Sequence, residues 1–217
     1  YFASQLPREL VEKLRVVNPG VVPAFWESKE TKQPYNITYT GHPGKGGMAA
    51  LIPVVERLKL KIPQAKIHVY GGGGIWGWDN DQYRPIYDKM IKAGILYHGQ
   101  IGKKDIIKRL NQAQIFLYPC GSHHKETFCL AVLEAMASGC VVIASNSGNV
   151  RNLVGDRGYI IDGDINHYSW AMEATEKIVD LYNNPSLMKS LSNKSKEFAK
   201  QYTWEASAKQ FEKEILV

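Results

Sequence analysis

Two glutamates in one run carry the clearest chemical signal in this sequence. Glu126 and Glu134 stand in Lys125-Glu126-Thr127-Phe128-Cys129-Leu130-Ala131-Val132-Leu133-Glu134-Ala135-Met136, a Glu-x7-Glu spacing. A helix beginning near Thr127 puts Glu134 about two turns in, ~11 Å along the axis. Its neighbours Val132, Leu133, Ala135 and Met136 are apolar. A carboxylate among them needs a partner, because burying it alone is costly. A pair of ligand hydroxyls is one such partner and a lysine elsewhere in the fold is another. A solvated helix glutamate or an internal ion pair is the plain structural alternative.

Two glycine loops add to the picture unequally. Gly41-His42-Pro43-Gly44-Lys45-Gly46-Gly47 joins an expected strand to an expected helix. Backbone N–H groups at a helix start, with Lys45 beside them, suit an anion. The spacing is not that of a Walker loop, and a glycine turn with an exposed lysine is the other reading. Gly72-Gly73-Gly74-Ile75-Trp76-Gly77 fits G-x-G-x-x-G after a strand. A dinucleotide fold also needs a helix opening at the third glycine and an acid ending the next strand. Loop residues Trp78-Asp79-Asn80-Asp81 follow instead, and the next strand ends at His98-Gly99-Gln100. These glycines are therefore expected to let a ligand or a chain segment approach the backbone closely.

Other reactive residues fall into weaker patterns. His123 and His124 are adjacent, with no third ligand to complete a metal set, so no metal is expected. They and His42 fall in the glycine and strand-end loops as candidate ligand contacts. Trp76, Trp78 and Tyr83 could stack a base or pack a loop. Cys120, Cys129 and Cys140 lack metal-ligand spacing and read as buried free thiols. No nucleophile with an oriented base can be read.

The elements that must position these residues alternate. Strands are predicted at 36–40, 66–70, 95–98, 114–119, 140–144 and 157–161. Helices are predicted at 46–60, 82–92, 103–110 and 127–138, with Pro53 expected to kink the first or force an early start. Such alternation means a parallel α/β sheet, Rossmann-like, with helices on both faces. After Asp164 three helices follow without a strand (167–184, 185–202, 203–217), a C-terminal helical tail. Residues 1–35, with Pro7, Pro19, Pro23 and Pro34, read as a leader or interdomain hinge, and 36–217 as the domain. Ligands of such sheets bind at the carboxyl ends of the strands. That rule selects the loops 41–47, 71–81, 99–105, 120–129 and 145–151.

With 217 residues the chain can bury a real core. An ordinary composition, 44% hydrophobic and 22% charged, excludes disorder, collagen and coiled coil as the main organisation. No apolar run approaches a membrane span. The net charge of +6 suits acidic ligands, yet the basic residues are scattered and mixed with acids, so nucleic acid is not an expected partner. The sequence starts at Tyr1 and shows no signal-peptide pattern, and it is expected to be a processed chain or a piece of a longer one.

The run Glu126-Thr127-Phe128-Cys129 followed by Leu133-Glu134-Ala135-Met136-Ala137-Ser138-Gly139 resembles the signature of retaining glycosyltransferases of the GT-B fold, family 4, the group 1 transferases. Tyr39-Thr40-Gly41 with Lys45-Gly46 resembles that family's phosphate loop. Tyr97-His98-Gly99-Gln100-Ile101 resembles its base-binding strand end, and Thr203-Trp204-Glu205 its closing helix. The likeness covers roughly 36–216. It implies the carboxyl-terminal, donor-binding half of a GT-B enzyme. Glu134 would then bind ribose hydroxyls and Ile101 would meet the base through its backbone. Glu126 would contact donor-sugar hydroxyls, with Thr127, Phe128, Cys129 and Leu130 around the sugar and distal phosphate. Lys45 would neutralise the diphosphate leaving group, with His42 beside it, making Lys45 and Glu126 the catalytic candidates.

The sequence departs from the family pattern in three ways. The phosphate loop is short, with His42 where the family has Arg. Cys129 stands where many members have Gly. The acceptor-binding amino-terminal domain lies outside the likeness, so this chain is expected to bind donor and be inactive or nearly so alone. The implied reaction moves a hexosyl group from a nucleotide diphosphate sugar to a hydroxyl acceptor (sugar, lipid-linked or protein) with retention, without a metal or other cofactor. The expected place is the cytosol, with the cytosolic membrane face as an alternative. A non-catalytic nucleotide-sugar binding module of the same fold is the competing reading.

Overall fold

The computed structural model describes residues 6–77, 81–121, 123 and 125–215. Trp78 and His124 lie outside the described residues, as does the side chain of Trp76. Six strands form one parallel sheet: β1 (Asn36–Thr40), β2 (Lys66–Tyr70), β3 (Leu96–Tyr97), β4 (Ile115–Tyr118), β5 (Val141–Ser145) and β6 (Tyr159–Ile161). Their order is β3-β2-β1-β4-β5-β6. The central strand β1 pairs on both sides, Thr38 lying opposite His68 of β2 and Phe116 of β4. Strands β4 and β5 are buried along their whole length, as their unbroken apolar sequences require in a sheet covered on both faces.

Helices cover the two faces. On one side α3 (Gly47–Lys61) packs against α4 (Arg84–Lys92) and α8 (Tyr168–Asn183). On the other, α6 (Leu130–Ala137) packs against α5 (Lys103–Gln112), α7 (Val150–Val154) and α9 (Pro185–Ala199), with the short α2 (Ala24–Glu27) beside it. Helix α3 continues through Pro53. Proline there withdraws one N–H from the carbonyl of Ala49, which lies on the exposed side where water can replace it.

The segment before β1 is tied to the body. A four-residue turn of helix, α1 (Arg8–Val11), precedes it. Val21 bridges Thr203 in parallel, and its N–H donates to the Tyr202 carbonyl at 2.8 Å. Phe25 is fully buried in the core. The Lys32 ammonium donates to the carbonyls of Ala113 and Ser138, at 2.5 and 2.8 Å, where α5 and α6 end. Positive charge at two helix C-termini is favourable, and these carbonyls have no partner inside their own helices. The last helix, α10 (Trp204–Ile215), packs its polar side chains on residues 16–18: Gln210 Nε2 reaches the Val16 carbonyl at 2.7 Å and Ser207 Oγ the Asn18 carbonyl at 2.6 Å.

Several elements differ from the sequence expectations, three of them near the loops at the carboxyl ends of the strands. Helix α6 opens at Leu130, not Thr127, because Cys129 takes a left-handed conformation (φ 65°) that no helix can include. Glu134 is therefore one turn into the helix, ~6 Å along its axis. Strand β3 keeps two residues of the expected four. Helix α7, between the loop after β5 and β6, was not predicted. It is five residues long, too short to show a helical period.

Candidate functional site

The chain reverses direction across the sheet between β1 and β4, and ligands of such sheets bind outside the carboxyl ends at that point. A cleft of about 410 Å³ lies there. The loop after β1 contributes Gly41, His42 and Lys45, the loop after β2 Gly71 and Gly72, and the loop after β3 Gln100 and Ile101. Tyr118 of β4 and Glu134 of α6 form the opposite wall.

The floor is built by close backbone approach. Gly71 (φ 129°) lies against the loop after β1, where an added Cβ would stand 2.1 Å from the Gly41 carbonyl oxygen. At Gly47, which opens α3, a Cβ would meet the Pro119 carbonyl oxygen at 2.2 Å and the Tyr39 hydroxyl at 2.7 Å. Hydrogen bonds Gly41 N to Tyr70 O (3.2 Å), Gly71 N to Gly99 O (2.8 Å) and Gly121 N to Lys45 O (2.9 Å) bind the four loops into one surface. The close approach occurs at Gly71, just before the run Gly72–Gly77 where it was expected, and a Cβ on Gly77 would meet nothing within 4 Å.

Lys45 and Glu126 form an ion pair in this surface. The Tyr118 hydroxyl donates to the same Glu126 oxygen at 2.9 Å, and the Lys45 ammonium lies 3.4 Å from the Tyr118 oxygen. Burial disfavours the charged lysine, but the hydrogen bond and charge of Glu126 outweigh it and hold Lys45 above the ordinary lysine range. The Lys45 ammonium therefore stays charged at neutral pH. Burial and neighbouring acidic groups raise the Tyr118 phenol, so it remains a neutral donor. The main chain of Glu126 is clamped from the loop after β5: Asn149 N donates to its carbonyl at 2.8 Å, and a Cβ on Gly148 would stand 2.1 Å from that oxygen.

The second glutamate has its own partner. Glu134, with only 13% of its side chain exposed, is met across the cleft by the Lys103 ammonium at 2.5 Å. Burial pushes its carboxyl up, and the hydrogen bond and charge of Lys103 oppose that rise. Neither Lys103 nor Tyr118 was visible as a site residue, because each meets its glutamate only through the fold.

The remaining expected residues are distributed around this centre. His42 caps the turn of Pro43–Lys45, its Nδ1 accepting from Gly44 N at 3.0 Å, and Tyr83 stands edge-on to its ring at 5.4 Å. Cys129 is buried, and burial pushes its thiol up to about 12. Its left-handed backbone accounts for a preference for glycine at this position. Leu130 is exposed at the start of α6, while Ala131 lines the cleft. Phe128 turns away to pack on Tyr202 (5.6 Å between ring centres), and Thr127 faces a neighbouring cleft. His123 is exposed in a turn. Cys120, Cys129 and Cys140 are all buried free thiols. Among the described residues no group of three or more His, Cys, Asp or Glu could hold a metal ion.

Comparison with known proteins decides the family. The glycosyl transferases group 1 family matches residues 25–198. The chain belongs to this family. Among curated relatives, it is 28% identical over 130 residues to an uncharacterized glycosyltransferase of Methanocaldococcus jannaschii, covering 58% of this chain and 35% of that one. It is 28% identical over 134 residues to the O-antigen chain mannosyltransferase B of Escherichia coli, covering 61% and 33%. The chain thus spans about a third of the length of these relatives. The fold is shared with the pneumococcal O-GlcNAc transferase solved with UDP and GlcNAc, at a TM-score of 0.70 and 18% identity, over 91% of this chain and 37% of that one.

Proposed function

We propose that residues 36–217 are the donor-binding half of a retaining GT-B glycosyltransferase, with 1–35 leading into it. The domain binds a nucleotide diphosphate sugar, and the full enzyme moves its hexosyl group to a hydroxyl acceptor without a metal. The observation that carries this reading is Lys45, held by Glu126 and Tyr118 at the crossover of the sheet, lining one cleft together with Glu134.

Each residue has a task in this scheme. Glu134 accepts hydrogen bonds from the ribose diol, and the backbone at Ile101 meets the base. The diphosphate lies between Lys45 and the start of α6, where N–H groups and the helix dipole favour negative charge. As the bond from the anomeric carbon to the diphosphate breaks, charge gathers on the leaving oxygen, and Lys45 stabilises it from a fixed position. Glu126, held by Tyr118, receives donor-sugar hydroxyls. His42 stands where the family has Arg, which leaves Lys45 the principal cation at the leaving group. The work is placed in the cytosol, with the cytosolic membrane face as the site of lipid-linked acceptors. Among the described residues no helix is long and apolar enough to cross a membrane.

Calorimetry with UDP, GDP, ADP and dTDP tests the assignment. At least one is expected to bind, and Lys45→Ala and Glu134→Ala each to weaken it about tenfold, ~1.4 kcal/mol. No binding of any of the four at millimolar concentration would sink the site.

A further inference from the structure

Two strong donors and a weak one converge on a single oxygen of Glu126. The Lys45 ammonium and the Tyr118 hydroxyl both meet Oε1, the hydroxyl at 2.9 Å, and the Cys120 thiol stands 3.8 Å from it. The carboxylate side chain is only 11% exposed, whereas that of Lys45 is 34% exposed and lines the donor cleft. The two strong donors also differ in freedom. Tyr118 is buried in the sheet, its ring stacked on Tyr39 (5.8 Å) and on Phe116 (5.7 Å). Lys45 is fixed only in its main chain, where its N–H donates to the His42 carbonyl at 3.2 Å and its carbonyl accepts from Gly121 N at 2.9 Å. Its ammonium moves on a flexible four-carbon stem.

The charges around Glu126 make this difference matter. Titratable groups face it from each neighbouring element: Lys45 after β1, Tyr39 of β1, Tyr118 of β4, Cys120 after β4 and Cys129 before α6. Burial raises both phenols and both thiols, which leaves them neutral. Among these groups only Lys45 carries a charge opposite to that of Glu126. In the donor reading above, the same ammonium must neutralise a diphosphate. Once it turns to the phosphate, the poorly hydrated Oε1 keeps one strong donor, the phenol. A carboxylate buried without a partner is costly and takes up a proton instead.

We propose that Tyr118 is the positioning residue that lets Lys45 change partners: its phenol holds the Glu126 carboxylate in place and ionised while the ammonium turns from Glu126 to the diphosphate. The inference rests on the donor reading and deepens it. The Lys45–Glu126 pair is then the resting arrangement of the empty site. A phenol suits the exchange because it adds no charge that would compete for the phosphate, and its hydrogen bond to an ionised acceptor is stronger than one between neutral groups.

Calorimetry of UDP binding in two buffers of different ionisation enthalpy counts the protons taken up from solution per nucleotide bound. It is made at about pH 6, above the ordinary carboxylate range. GDP, ADP or dTDP replaces UDP if the chain binds that nucleotide instead. The phosphate titrates alike in every variant, so differences between variants report on the protein. The parent and Glu126→Gln are expected to take up the same number of protons, because the parent carboxylate stays ionised. Tyr118→Phe is expected to take up at least about half a proton more, and its affinity to fall more steeply than the parent's as pH rises. Tyr118→Phe/Glu126→Gln is expected to lose that excess. Equal uptake in the parent and Tyr118→Phe overturns the proposal, as does an excess that survives in the double variant. So does a parent that takes up more than Glu126→Gln, a comparison that decides the case in which Tyr118→Phe does not fold. Each of these outcomes leaves the donor reading standing, whereas a chain that binds none of the four nucleotides overturns that reading and the proposal with it.

Discussion

At the scale of single residues, the two glutamates of one motif are held in opposite ways. Glu126 is fixed by Lys45 and by a neutral phenol, whereas Glu134 is met by Lys103 among the described residues. The pH behaviour of the second pair follows from its sign. Burial raises the Glu134 carboxyl above its unfolded value, so its contribution to stability is greatest below that unfolded value. It is lost as pH rises through the folded one. Ligand affinity moves oppositely over the same window, because ribose hydroxyls donate best to a carboxylate. Lys103→Met removes the charge opposing the rise, so the gain in affinity is expected at a higher pH than in the parent, with Lys103→Arg restoring it and Glu134→Gln removing it. Nucleotide titrations from about pH 4 to about pH 8 read this directly, the ligand's own phosphate titrating alike in each variant. Superimposable profiles for the parent and Lys103→Met would remove Lys103 from the site.

At the scale of elements, the glycines after β1 and β2 matter more than the longer glycine run they border. Gly71→Ala places a Cβ 2.1 Å from the Gly41 carbonyl and forces a left-handed residue, and a loss of at least ~2 kcal/mol is expected in urea unfolding. Gly102→Ala is the control: φ is −72° and no atom lies within 4 Å of its Cβ, so only the change of an N-cap residue, at most ~1 kcal/mol, is expected. Equal losses would mean that the loops do not depend on this contact. Much of this layer was legible beforehand. Strands β1 (NITYT) and β2 (KIHVY) fall on their predicted residues, since each is a short β-branched and aromatic stretch bounded by turns. The start of α6 was not legible, because a single cysteine in a left-handed conformation leaves no mark in a periodic pattern. Nor was Lys103, thirty-one positions from Glu134, whose meeting depends on the loop after β3 arriving beside α6. The motif marks two carboxylates and the glycine loop marks Lys45; that Lys45 meets Glu126 and Lys103 meets Glu134 is known only from the fold.

At the scale of the whole molecule, the crossover between β1 and β4 gathers loops distant in sequence at one end of the sheet. The opposite end is closed by Lys32 under α5 and α6. Residues 15–21 also lie alongside 203–214, joined by the Val21–Thr203 bridge, by Asn18 with Gln210, and by Arg15 with Glu214 at 3.6 Å. The backbone is therefore almost a ring already. A few flexible residues joining position 214 to position 15 would close it, and new ends could be opened at Gly77, where an added Cβ would meet no described atom within 4 Å. Such a permuted chain is expected to melt within a few degrees of the parent. It would carry the cleft on a backbone whose order of elements begins at α4, and failure to fold would show that the pairing of the two segments does not tolerate a link between them.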